Sequence, residues 1–138
     1  MTKALAAKMG IKADARAIFI NDPKGILKTI DPPDGNIASS LRGSFDYIHF
    51  FANTQAELNK KFRTLKDHLK PTGMLWISWP KAGKQGTDLT LPAVIKIGYD
   101  YGLVESKTLS VNAVWSALKF THPKKGKIYN NSYGKLKK

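Results

Sequence analysis

Apolar positions along the chain follow two alternating rhythms, short continuous runs and helical stripes. The continuous runs are Ala15-Arg-Ala-Ile-Phe-Ile20, Phe45-Asp-Tyr-Ile-His-Phe-Phe51 and Gly73-Met-Leu-Trp-Ile-Ser-Trp79. They are rich in β-branched and aromatic residues, and Asn21-Asp22-Pro23 and Pro80 stop the first and third, so each predicts a strand. The second and third are nearly all apolar, as expected of parallel strands covered on both faces.

Between these runs the period changes. Residues 3–9 predict a short amphipathic helix ended by Gly10, and residues 24–30 a second short helix. Asp31-Pro-Pro-Asp-Gly35 reads as a turn, followed by a weak strand over Asn36–Ser39. Thr54-Gln-Ala-Glu57 matches a helix capping box. Leu58, Phe62, Leu65 and Leu69 then form one apolar stripe with Lys60, Lys61, Arg63 and Lys66 off it, and Pro71 and Gly73 predict its end. Residues 81–87 form a polar, glycine-containing loop. A helix is predicted from about Asp88 or Thr90 to Tyr101, with Pro92 in its first turn and Gly102 as its stop. Val104–Leu109 and Val114–Thr121, joined by Ser110-Val-Asn-Ala113, predict an antiparallel pair.

No internal repeat is present. This order of elements predicts an α/β, Rossmann-like three-layer sandwich: a mostly parallel sheet, helices on both faces, and an antiparallel C-terminal edge strand. At 138 residues one domain is expected. It spans residues 1–121, and residues 122–138 form a basic C-terminal tail.

Charge changes the picture. The chain carries +13, and 20 of its 23 basic residues are Lys; the others are Arg16, Arg42 and Arg63. The six Lys after His122 leave residues 1–121 with 17 basic and 10 acidic side chains, so the basicity is not confined to the tail. Sequence-specific reading of bases favours the planar fork of Arg, so this composition argues for non-specific polyanion contact at most. The absence of Cys excludes disulfides, thiol catalysis and Cys-ligated metals. No apolar run reaches the ~20 residues of a membrane span or reads as a signal-peptide core, so a cytoplasmic protein is expected. His49, His68 and His122 have no metal-ligand spacing, and no metal is expected. His49 falls in a buried strand and reads as a satisfied core residue. Ser116 begins the last strand without a base in view, and no nucleophile elbow occurs.

The stretch from Phe45-Asp46 through Leu69-Lys-Pro-Thr-Gly-Met-Leu-Trp-Ile-Ser78 resembles the second half of class I methyltransferases. Ala17-Ile-Phe-Ile-Asn-Asp-Pro-Lys-Gly25, Leu75-Trp-Ile-Ser-Trp-Pro-Lys81, Thr87-Asp-Leu-Thr90 and Val114-Trp-Ser-Ala-Leu118 extend the likeness. Together they resemble a small bacterial family of unknown function with a methyltransferase-like Rossmann fold. In working methyltransferases, the resemblance implies, a glycine-rich turn after the first strand approaches the amino-acid part of S-adenosylmethionine. An acidic residue ending the second strand holds the ribose. Here the first turn is Asn21-Asp-Pro-Lys-Gly25, and no acid follows Asn36-Ile-Ala-Ser39; Asp31 and Asp34 precede it. A binding or interaction module without methyl transfer is therefore expected.

Ligands of open α/β sheets sit outside the carboxyl ends of the strands. Those ends predict one cluster of Asn21, Asp22, Asn53, Ser78, Trp79, Lys81, Thr87 and Asp88. Trp79 would stack on a planar ligand and Lys81 would meet a phosphate or carboxylate. The plainer reading has Trp79 packing the sheet edge and Thr87 or Asp88 capping a helix. Two alternatives stay open. One is a methyltransferase with an atypical cofactor loop that still takes S-adenosylmethionine. The other is a non-specific nucleic-acid binder using Lys124, Lys125, Lys127, Tyr129, Lys135, Lys137 and Lys138, with Tyr stacking on bases. The oligomeric expectation is a monomer or a homodimer paired through an exposed edge strand.

Overall fold

The computed structural model describes residues 5–33, 36–129 and 133–136. The elements follow the predicted order: α1 (Leu5–Lys8), β1 (Ala17–Ile20), α2 (Ile26–Ile30), β2 (Ile37–Ala38), β3 (Phe45–Phe51), α3 (Gln55–Asp67), β4 (Leu69–Pro80), α4 (Leu91–Asp100), β5 (Val104–Ser110) and β6 (Trp115–Thr121). The six strands form one sheet in the order β2-β1-β3-β4-β6-β5. β2, β1, β3 and β4 are mutually parallel, and β6 runs antiparallel to both β4 and β5. The antiparallel pair closes one side of the sheet as expected. The reversed strand β6 lies inside the pair, so the outermost strand is β5.

The sheet separates two apolar layers. On one face α3 and α4 cover it with Leu58, Phe62, Leu65, Val94, Ile97 and Tyr99, against Ile48, Ile77, Leu118 and Phe120. On the other, α1, the adjoining Met9 and α2 contribute Ala6, Met9, Ile26 and Ile30 against Tyr47, Phe51, Trp76 and Trp115. The chain thus winds one way through β1, α2 and β2, then the other way through β3, α3 and β4. The switch point falls between β1 and β3, and all carboxyl ends of the parallel strands lie on one side of the molecule.

The helix boundaries have local causes. Thr54 Oγ1 accepts from Glu57 N (3.1 Å), the first half of the capping box. The second half is displaced by one residue: Glu57 Oε1 accepts from Asn53 N (2.7 Å) rather than from the cap itself. In α4, Thr90 Oγ1 accepts from Ala93 N and Pro92 lies in the first turn. The cap is therefore Thr90, not Thr87 or Asp88.

One predicted boundary is corrected. Leu69 does not extend the stripe of α3, and Pro71 and Gly73 do not stop that helix. The helix ends at Asp67, and Leu69 already pairs with Phe45 in β4. Phe45 N donates to His68 O (2.8 Å), which draws the chain into the sheet at once. Between Leu69 and Met74 the strand bulges against β3, and this irregularity accommodates Pro71, which has no N–H to give to the ladder. A Cβ at Gly73 would lie 2.8 Å from Phe45 O, so the close approach of the two strands requires glycine there. The peptide bonds of the described residues, Trp79–Pro80 among them, are trans.

Candidate functional site at the strand ends

The predicted cluster resolves into two neighbouring places and one core residue. The first place is the switch point. Asn21 follows β1 with a left-handed backbone (φ 58°), and Asn21 and Asp22 are exposed. Asn53 follows β3 and is held by the segment after β4. Its Nδ2 donates to Gln85 O (3.2 Å), and its backbone O accepts from Thr87 Oγ1. Thr87 Oγ1 also accepts from Leu89 N (3.0 Å). Asp88 Oδ1 accepts from Gln55 N (2.8 Å), and Asp88 O accepts from Gln55 Nε2 (2.9 Å). Thr87 and Asp88 therefore fasten one loop onto the start of α3. Asn53 Oδ1 is buried and has no hydrogen-bond partner among the described residues.

The fastened loop is not a floppy connector. Lys81–Gly86 folds as two successive tight turns with left-handed central pairs, Ala82-Gly83 (φ 50° and 75°) and Gln85-Gly86 (φ 56° and 70°). Glycine takes this conformation freely, but Ala82 and Gln85 each pay about 1 kcal/mol for it. Thr87 N donates to Lys84 O (3.2 Å) to close the second turn.

The second place lies at the ends of β4, β6 and β5. Register puts Trp79, Ser116 and Ser110 in one row across these three strands. The next row is filled by Ile77, Leu118 and Thr108. Further along the sheet, under α4, Phe120 fills the space so tightly that a Cβ at Gly98 would lie 2.0 Å from its ring. At the end of the sheet the small side chains of Ser110 and Ser116 leave a cavity of about 300 Å³, lined by Trp79, Leu91, Thr108, Leu109, Ser110, Ser116 and Ala117. Lys81 stands at its edge, with its backbone N on Val114 O (2.7 Å) and its Nζ donating to Ser110 Oγ. Sequence reading named Trp79 and Lys81. It missed Ser110 and Leu91 as lining residues and considered Ser116 only as a nucleophile. The signal was the pair of serines at the matching ends of two strands joined by a short connection.

Ser78 belongs to neither place. It is wholly buried on the opposite face of the sheet, where its Oγ lies 2.6 Å from His49 Nε2. His49 Nδ1 lies 2.9 Å from Tyr47 Oη, which also donates to Met9 Sδ (3.5 Å). The imidazole stacks on Phe51 at 4.3 Å. This is the satisfied core histidine expected from the strand pattern. Burial holds His49 neutral, with its pKa lowered to about 3, and pushes the Tyr47 phenol up.

The other histidines are also engaged, His68 Nδ1 with Gly43 O (2.6 Å) and His122 Nε2 with Leu69 O (3.3 Å). Among the described residues no cluster of His, Asp or Glu has the grouping of a metal site, and no helix is long and apolar enough to cross a membrane.

The start of the tail lies on the domain. Tyr129 and Leu136 pack against the core cluster that contains the α3 and α4 side chains, and a Cβ at Gly134 would lie 2.9 Å from Tyr99 Cβ. Tyr129 Oη accepts from Lys124 N (2.8 Å), and Lys127 Nζ lies 5.2 Å from the Tyr129 ring. Lys124, Lys125, Lys127 and Lys135 are exposed. Lys137 and Lys138 lie outside the described residues.

The fold is that of class I methyltransferases. The chain is similar to a magnesium protoporphyrin IX methyltransferase from Synechocystis PCC 6803, solved with bound SAM, at 12% identity and a TM-score of 0.61 over 86% of this chain and 74% of that one. It is similar to a ribosomal protein L11 methylase from Lactobacillus delbrueckii subsp. bulgaricus at 12% identity and a TM-score of 0.60, covering 87% and 76%. A methyltransferase from Pyrococcus furiosus matches at 14% identity and a TM-score of 0.54, covering 83% and 78%. No protein-family model and no curated protein sequence matches the chain.

S-adenosylmethionine can be tested against the residues present. The turn after β1 contains Pro23, which has no N–H to offer, and leads into a helix of only five residues whose N-cap, Gly25, has no side chain. β2 ends at Ala38 and is followed by Ser39 and Ser40, so no carboxylate stands at its carboxyl end. Asp31 lies before β2, at the other end of the strand. Asp34 lies outside the described residues. The residues present do not provide the glycine-rich turn and ribose carboxylate that the methyltransferase resemblance implies.

Proposed function

We propose that this chain is a methyltransferase-fold binding domain that takes an anionic small molecule at the carboxyl ends of its strands and transfers no methyl group. The observation that carries this reading is an asymmetry at that end of the sheet. The β1–β2 side lacks a glycine-rich turn and a ribose carboxylate. The β4–β6–β5 side offers a cavity of about 300 Å³ beside a lysine that has a hydroxyl, not a carboxylate, as its partner. Calorimetry with S-adenosylmethionine and with its demethylated product tests it. The expected result is no heat of binding for either up to millimolar concentration. Binding of either below a millimolar overturns the reading in favour of a methyltransferase with an atypical cofactor loop, the activity its solved neighbours are named for.

A further inference from the structure

The cavity beside Trp79 carries a sharper statement about the ligand. We infer that it seats a planar aromatic acid, with the ring against Trp79 and Leu91 and the carboxylate on Lys81. This rests on the binding-domain reading and adds the chemical class and the seat.

Three features define that chemistry. First, the lining includes one aromatic and one large aliphatic side chain, Trp79 from β4 and Leu91 from the first turn of α4. Leu91 is one of the few large apolar side chains left substantially exposed, at 38%. An apolar ring seated against them gains contact with both, and an aromatic ring gains an aromatic contact with Trp79 beyond area burial. Second, the floor is Ser116, between Trp79 and Ser110 in one row of the sheet with Thr108 in the next row of that face, while the side chains of Ala117 and Leu109, which also line the cavity, pack on the opposite face. Short side chains there leave a volume at the lower end of the roughly 300–1,000 Å³ usual for ligand pockets, enough for a one- or two-ring compound. Third, the charge at the rim is not neutralised. Lys81 Nζ donates to Ser110 Oγ, and the ion pairs found among the described residues, Lys70–Asp46 and Lys96–Asp100, do not involve it. The Lys81 backbone is pinned to Val114 O, so its stem starts from a fixed point. Moving its Nζ from the Ser110 hydroxyl to a ligand carboxylate replaces a hydrogen bond to a neutral oxygen with a charge-assisted one, roughly twice as strong. Ser110 Oγ keeps Asn112 O (3.1 Å) as a partner.

Calorimetry with 2-naphthoate and its uncharged counterpart 2-naphthalenemethanol tests the seat at neutral pH. The folded protein is expected to bind naphthoate below a millimolar and about tenfold more tightly than the alcohol, the increment of one charge-assisted contact. Lys81→Gln, a change at the surface, should bring naphthoate down to the level of the alcohol and leave the alcohol unchanged. Ser116→Leu, which fills the floor, should abolish both. Failure of the folded wild-type protein to bind naphthoate, or an acid preference that survives Lys81→Gln, overturns the seat. The calorimetry with S-adenosylmethionine is read separately. If that compound binds and naphthoate still binds through Lys81, the binding-domain reading falls and the seat stands. If neither binds, the seat falls and the absence of methyl transfer stands.

Discussion

The two halves of the winding are built to different scales. In the amino-terminal half α1, β1, α2 and β2 have four, four, five and two residues. In the other half β3, α3, β4 and α4 have seven, thirteen, twelve and ten. The first half is also the one that, by its resemblance to methyltransferases, would carry the cofactor. Its brevity has a physical consequence. A five-residue helix aligns too few peptide dipoles to make a strong anion site, and a two-residue strand places only one short step of backbone beside a ribose. The longer half carries the capped helices and the cavity at the end of the sheet.

The largest expected effect separates the halves by stability. Phe62 is fully buried, stacks on Tyr101 at 5.2 Å and meets Phe120 edge-on at 5.6 Å. Phe62→Ala should cost about 3–5 kcal/mol in chemical denaturation. Ile37→Ala in β2, where Ile37 is 40% exposed, should stay within about 0.5 kcal/mol of wild type. Comparable losses at the two sites would erase the distinction.

A second effect lies on the seam. His49 of β3 is linked to Tyr47 on the same strand, to Ser78 of β4 and, through Tyr47, to Met9 beside α1. Its folded pKa of about 3 lies below the ordinary value of 6.5, so the unfolded chain takes up the proton first. The stabilisation is complete above pH 6.5 and is lost progressively as pH falls towards 3. Denaturation midpoints across that range should show the slope, and His49→Gln, which cannot titrate, should flatten it. An unchanged slope would show that the acid sensitivity arises elsewhere. Asp46 adds to the loss at lower pH. Its carboxylate accepts from Arg16 N and pairs with Lys70, which holds its pKa below the ordinary value.

The smallest effect concerns a helix start. Thr54→Ala removes the side-chain cap of α3 and should cost about 1 kcal/mol. Melting curves that do not move would mean that the displaced Glu57 contact to Asn53 suffices for that terminus.

Most of the fold was legible in the chain. The run Phe45–Phe51 is a strand at those bounds, Thr54 caps its helix, and the last two runs pair antiparallel. These features depend on neighbours in sequence: apolar period, a hydroxyl before a helix, a short connection. The start of β4 was not legible, because Leu69 continues the helical period and only its pairing with Phe45 removes it from the helix. The site was legible in part. Trp79 and Lys81 stand out as an aromatic and a cation at a strand end. Ser78, one residue before Trp79, points to the opposite face, as the period of two in a strand demands.

The sequence by itself determined the element order, the absence of thiol chemistry and a charge of +13 spread over domain and tail. Tertiary structure decided which ends meet. Trp79 is far along the chain from Ser110 and Ser116, and it shares a row with them only because β6 inserts between β4 and β5 in one register. Thr87 and Asp88 fasten a loop instead of capping α4 because Asn53 and Gln55 arrive beside them from β3. Local pattern is set by the backbone's own periods. A cavity is set by what long-range pairing leaves unfilled, and no window of the chain contains that information.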